Sequence, residues 1–190
     1  FVEKVLTGQP DPPPYFAVMK RINKEPWDMA PAMRSAKPTM DELLLDGNLV
    51  IDTRPAADYA KGHRPGTLNI PLNGSFVTWA GWFIPYDRDF YVITDRIEDV
   101  RRALGLIGLN RIAGDFASFA GQGGETIPQI TAEELARKLP ANGMMLIDVR
   151  HDNEWSDGHI SSAVHIPLGR LPERINEVPA DTPVVLNVLK

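Results

Sequence analysis

The sequence predicts an α/β fold of two tandem units, each a parallel sheet with helices on both faces, the second incomplete at its C-terminal end. Three observations carry this expectation. The chain repeats itself: Val50–Leu72 can be laid over Leu146–Leu168 at a constant offset of 96 with no gap. Eight of those 23 positions are identical: Ile51/Ile147, Asp52/Asp148, Arg54/Arg150, Gly62/Gly158, His63/His159, Ile70/Ile166, Pro71/Pro167 and Leu72/Leu168. A duplicated segment of this length marks a duplicated structural unit. Apolar strand patterns then alternate with helical ones, the order that gives a parallel sheet with both faces covered. Finally, Thr39-Met-Asp-Glu42 and Thr131-Ala-Glu-Glu134 both read as capping boxes, in which a hydroxyl and a carboxylate satisfy the orphan amides of a helix start. Their offset of 92 places a four-residue indel in the loop between that helix and the next strand.

The elements follow in order. Residues 1–36 are expected to be an exit segment and proline-rich linker from an upstream domain. Phe1, Val2, Val5 and Leu6 close a helix near Gly8; Pro10, Pro12, Pro13 and Pro14 then enforce an extended path. Tyr15 to Ile22 suit a short amphipathic helix before Pro26 and Pro31. The first unit spans 37–118, with a helix over Asp41–Leu45, a strand over Leu49–Asp52 and a second short helix carrying Asp58 and Tyr59. A brief strand ends at Ile70-Pro71-Leu72, and a third strand covers Phe90–Thr94. The helix from Arg96 to about Leu106 shows Ile97, Val100, Leu104 and Ile107 at helical spacing, and Arg111–Ala113 closes the unit. Residues 119–129, with Gly121-Gln-Gly-Gly124, read as a linker. The second unit spans 130–190: a helix over Ala132–Leu139, a strand over Met144–Asp148, a helix with Glu154 and Trp155, and a last strand at Pro183–Val188.

Composition removes several functions. Lys and Arg number 20 against 25 Asp and Glu, a net charge of −5 with no basic run, so neither nucleic acid nor an anionic membrane surface is an expected partner. No apolar stretch reaches the length of a membrane span. Cysteine is absent, which removes disulfides, thiolate nucleophiles and thiolate metal sites together. His63, His151, His159 and His165 lack the spacing and carboxylate company of a metal site, so no metal is expected in this chain. The sequence opens on Phe1 without a signal-peptide pattern and is expected to be an excerpt of a longer cytoplasmic protein.

Asp148-Val-Arg150, Glu154-Trp155, Gly158-His159-Ile160, Ser162-Ala163 and Ile166-Pro167-Leu168 together resemble the signature of the rhodanese family of sulfurtransferase-like domains. Asp52-Thr-Arg54, Tyr59, Gly62-His63, Gly66 and Asn69-Ile70-Pro71 are similar in the same way. Two further stretches, Gly8–Asn23 and Ser75–Asp87, resemble bacterial fusions in which a metallo-β-lactamase-fold hydrolase precedes tandem rhodanese domains. The resemblance implies a sulfur-metabolism protein, with a metal ion in the upstream domain acting on thioesters or persulfides as a hydrolase or persulfide dioxygenase. It also implies that upstream domain as a partner in the same polypeptide, and small sulfur compounds or persulfides as ligands of the parent. A homo-oligomer is a further expected partner state.

In this family a cysteine at the tip of a central strand carries sulfur as a persulfide. The amides of its loop and the positive end of the following helix stabilise the thiolate. The vestigial positions here are expected to be Asp95 in the first unit and Val188 in the second. Asp95 with Glu98 is expected to cap a plain helix, a contribution of about 1 kcal/mol. Asp52, Arg54, Asp148 and Arg150 are expected to brace the strand ends, and Gly62-His63 and Gly158-His159 to form turns with hydrogen-bonded histidines. The first unit also carries an insertion, Asn73–Asp89, rich in aromatics. Trp79, Trp82, Phe83 and Tyr86 are expected at an interface rather than in the core, because one surface loop cannot cover so much aromatic area by folding on itself. The expected function is a non-catalytic rhodanese-like binding and assembly module; the alternative is an active sulfurtransferase whose cysteine lies outside these residues.

Overall fold

Strands without a polar face need cover on both sides, and the first sheet is built from such strands. A computed structural model of the chain describes residues 15–22, 24, 38–117, 124–139 and 143–188. These form two compact units, divided between Pro128 and Gln129. In the first, α1 (Tyr15–Ile22) and α2 (Met40–Leu45) precede β1 (Leu49–Asp52), α3 (Ala56–Lys61), β2 (Leu68–Asn69) and α4 (Phe76–Phe83). Next come β3 (Phe90–Ile93), α5 (Ile97–Gly105) and β4 (Ile112–Phe116). All pairings are parallel, in the order β2-β1-β3-β4.

Period-two alternation sends the strand residues to two faces. On one, Ile51, Phe90 and Val92 meet Phe76 and Ala80 of α4 and Val100 and Leu104 of α5. On the other, Val50, Tyr91 and Ile93 meet Leu43 of α2, with Met40 and Leu44 alongside. The α2 start is fixed by the expected capping box: the Glu42 amide donates to Thr39 Oγ1 and the Thr39 amide to Glu42 Oε2.

In the second unit α6 (Ala132–Lys138), β5 (Met145–Asp148), α7 (Asp152–Asp157), β6 (Val164–His165) and β7 (Val184–Asn187) form a parallel sheet of order β6-β5-β7 among the described residues. Its capping box, Thr131 with Glu134, is present too. Ile147, Val149 and Ile166 form its core with Met145, Leu168, Leu171, Val178 and Val184 packed against them. Element ends differ from the sequence expectation by a residue or two, and β4 runs three residues further, to Phe116.

Two expectations are corrected. The aromatic insertion is not a free docking loop. It forms α4, in which Phe76 and Ala80 are fully buried, while Trp79, Phe83 and Tyr86 pack against the same core. Tyr86 also donates its hydroxyl to the Ile107 carbonyl at 2.9 Å, and burial pushes its pKa up to about 12. The missing cover comes from α1, placed by sequence in the exit segment: Tyr15 and Met19, one helical turn apart, join this core. Tyr15 lies so close over Gly81 that a Cβ there would clash with its ring. Trp82 is half-buried and lies outside that core group. The second correction concerns the expected linker: Glu125 pairs with His63 in an antiparallel bridge and the Ile127 amide donates to the Ala60 carbonyl, so 124–127 belong to the first unit. The expected helix near Gly8, the Pro10–Pro14 run and Gly121–Gly123 lie outside the described residues.

Candidate functional site

In a parallel sheet the strand carboxyl ends gather at one edge, where ligand crevices form. There β1 ends on Asp52, a carboxylate with no solvent exposure, which must be paired to be tolerated. Arg54, two residues on, wraps back over it. Its amide donates to Oδ1 at 2.9 Å, its Nε to both oxygens at 3.1 and 3.0 Å, and its Nη2 to Oδ2 at 2.6 Å. The same Nη2 donates to the Gly62 carbonyl at 3.0 Å, tying the strand end to the Gly-His turn. Asp148 and Arg150 repeat this bond for bond, with Nη2 reaching the Gly158 carbonyl at 2.9 Å. This charge-assisted fork raises the pKa of both guanidinium groups.

The histidines complete the turns. His63 Nδ1 lies 3.2 Å from the Tyr59 carbonyl, with its ring stacked 4.0 Å over Tyr59. His159 Nδ1 lies 2.9 Å from the Trp155 carbonyl, its ring 3.5 Å from Trp155. Since a carbonyl only accepts, Nδ1 carries the proton in both. Sequence reasoning passed over the residue that follows in each unit. Asn69 donates to the Asp52 and Arg54 carbonyls at 2.9 Å each. His165, 96 residues later, places Nε2 2.9 Å from the Arg150 carbonyl and also stacks on Trp155, ring centroids 4.6 Å apart. The repeat alignment already held that pair, but Asn against His conceals their common bond to a carbonyl.

Asp148 gains one further partner: Asn187 Nδ2 donates to its Oδ2 at 2.9 Å. The hydrogen bond from the Arg150 side chain, ahead of those from the Arg150 amide and Asn187, holds the carboxyl at about 2, against 3.8 ordinarily. A depressed carboxyl pKa contributes stability that is complete above the unfolded value and disappears as pH falls through the folded one. The second unit is therefore expected to lose stability between about pH 4 and pH 2, and Asp148→Asn to flatten that slope. Denaturant midpoints followed by Trp155 fluorescence, the one tryptophan of residues 129–190, check this.

The β3 tip carries two more corrections. β1 sets Asp52 beside Ile93, and β5 sets Asp148 beside Asn187. Thr94, not Asp95, therefore shares its register with Val188, and the position matching Asp95 lies outside the described residues. Asp95 also does not occupy the cap of α5. Arg96 stands there without a side-chain cap bond, since a guanidinium carries no acceptor; its amide turns back to Thr94 Oγ1 at 3.1 Å and its side chain pairs with Asp99. Thr94 is buried and Asp95 exposed; Val188 is largely exposed.

What this edge offers chemically is a hydroxyl and a carboxylate where a persulfide carrier needs a thiolate. Among the described residues no three His, Cys, Asp or Glu side chains group as metal ligands, and no helix is long and apolar enough to cross a membrane.

Comparison with known proteins agrees with this geometry. The model of the rhodanese-like domain family matches residues 131–187. An HTH-type transcriptional regulator of Mycobacterium tuberculosis, Rv0324, is 33% identical over 101 residues, covering 52% of this chain and 44% of the regulator. A putative sulfurtransferase of Bacillus subtilis, YtwF, is 39% identical over 56 residues, covering 29% of this chain and 54% of the relative. A solved metallo-β-lactamase of Staphylococcus aureus shares 31% identity at a TM-score of 0.48, over 61% of this chain and 34% of its own. The chain spans about half, or less, of the length of these curated relatives. Residues 131–187 thus match the rhodanese-like domain, and putative sulfur-handling proteins are among the sequences similar to this chain.

Proposed function

We propose, taking 131–187 as a rhodanese-type region, that this chain is a non-catalytic binding and assembly module of a sulfur-handling protein. One observation carries the proposal: the rhodanese frame is kept while the 190 residues hold no cysteine, so no sulfur can be accepted as a persulfide. Sulfur transfer from thiosulfate needs a thiolate to attack the sulfane sulfur and expel sulfite, and then cyanide to take that sulfur as thiocyanate. Neither the Thr94 hydroxyl nor the Asp95 carboxylate can hold sulfur in this way. In each unit the Asp-Arg fork and the histidine turn serve as rigid supports for a surface.

The finer reading adds an upstream metallo-β-lactamase-fold domain in the same polypeptide, holding a metal ion and acting on thioesters or persulfides in the cytoplasm. Its support is the sequence resemblance of Gly8–Asn23 and Ser75–Asp87 to such fusions. The direct test is thiocyanate formation by the pure chain from thiosulfate and cyanide. No product above a protein-free control is expected; product that scales with protein would overturn the non-catalytic reading.

A further inference from the structure

The start of α4 is held by a residue outside the helix. Ser75, at the N-cap, makes no side-chain cap bond. Asn73, two residues earlier, supplies the acceptors instead. Its Oδ1 accepts the Ser75 amide at 2.9 Å, and its carbonyl accepts the Phe76 amide at 3.1 Å. The side-chain acceptor must be the oxygen, since an amide nitrogen only donates. The hydrogen-bonded ring that Oδ1 closes contains the Gly74 nitrogen, so the carboxamide is folded back over the main chain at Gly74. Asn73, Gly74 and Ser75 are all exposed, so water reaches the turn.

Gly74 is not demanded by this geometry. Its φ lies outside the left-handed range, and a Cβ there would meet nothing within 4 Å. What glycine provides is an unshielded main-chain nitrogen beside a carboxamide. Three other asparagines differ on both counts. Asn48, Asn69 and Asn187 precede Leu49, Ile70 and Val188. Each also has its Nδ2 engaged, on the Leu43 carbonyl, on the Asp52 and Arg54 carbonyls, and on Asp148 respectively.

We propose that Asn73–Gly74 is a site of spontaneous modification, at which the asparagine becomes aspartate or isoaspartate and the isoaspartate form loosens the start of α4. The Gly74 nitrogen gives its proton to solvent and attacks Asn73 Cγ. The new C–N bond closes a succinimide ring while the Cγ–Nδ2 bond breaks, Nδ2 leaving as ammonia with a proton from water. Water then opens either succinimide carbonyl, giving aspartate or isoaspartate, and nothing is oxidised or reduced. The Ser75 amide points at the oxygen on which negative charge develops during the attack, the aid that an oxyanion hole gives. Aspartate keeps both acceptors and sets a negative charge at the helix start, which is favourable. Isoaspartate routes the main chain through the side-chain carbon, so the Ser75 and Phe76 amides lose their paired acceptors. Phe76, 1% exposed in the core, is the first residue of the helix they begin.

The test is storage of the folded 190-residue chain at mildly alkaline pH, followed by peptide mapping with fragmentation that separates aspartate from isoaspartate. Conversion at residue 73 is expected ahead of Asn48, Asn69 and Asn187. Gly74→Ala, which the open space accommodates, is expected to slow it about tenfold by crowding the attacking nitrogen. Asn142–Gly143, whose asparagine lies outside the described residues, is scored apart. The isolated isoaspartate form is expected to unfold its first unit at lower denaturant than the unaltered chain, while Asn73→Asp does not. No conversion at residue 73, conversion only in urea, or equal rates with Gly74→Ala would overturn the proposal. An isoaspartate form as stable as the unaltered chain would overturn the loosening of α4.

Discussion

Arg54→Ala is expected to destabilise the first unit by about 3–5 kcal/mol, the cost of removing one partner from a buried ion pair. The size follows from what remains. Asp52 has no solvent exposure, and its oxygens lose three side-chain hydrogen bonds together, while the Gly62 carbonyl loses its tie to the strand end. Among the described residues, the residue 54 amide would still donate to the carboxylate. Arg54→Lys recovers little, because an ammonium cannot hold both oxygens and the glycine carbonyl as the planar fork does. Asp52→Asn with Arg54→Ala is expected to recover part of the loss by removing the buried charge itself. Chemical denaturation of the three variants, followed by the fluorescence of Trp79 and Trp82, measures the effect; a change below about 1 kcal/mol for Arg54→Ala would mean the pair behaves as a surface salt bridge.

Phe76→Ala is expected to cost a similar amount, about 3–5 kcal/mol, by emptying a ring-sized volume in a fully covered site. Phe76 is 1% exposed and shares the core with Ile51, Val92 and Leu104. Trp82→Ala is the internal comparison, expected to cost clearly less because its side chain is only half-buried and lies outside that core group. Equal midpoints for Phe76→Ala and the unaltered chain would restore the view that the insertion is a docking surface rather than core.

The difference between those two residues shows where sequence was informative and where it was not. Patterns confined to a few residues are legible: both Thr–Glu capping boxes, both Asp-x-Arg forks and the hydrogen-bonded turn histidines, though not the stacking of those rings on Tyr59 and Trp155. Each is closed by a near neighbour, so the spacing contains most of the geometry. The α4 aromatics were read as an interface because their cover, Tyr15 and Met19, comes from about sixty residues upstream, across a proline-rich stretch that resembles a linker. The pairing of Glu125 with His63 was hidden for the same reason: nothing in a glycine-rich run specifies which backbone it meets. At the β3 tip the error was one of register. The end of an apolar run points to Asp95, but pairing with the Asp-x-Arg strand fixes Thr94 beside the fork, and the Thr94 hydroxyl then takes the Arg96 amide that an Asp95 cap would have left free.

The proposal that this chain carries no sulfur has one direct measurement. The pure chain is incubated with thiosulfate or polysulfide and its intact mass recorded before and after removal of the donor. No covalent gain is expected, since no side chain among the 190 residues offers a thiolate. A mass gain of one sulfur atom, lost again on addition of cyanide, would contradict it.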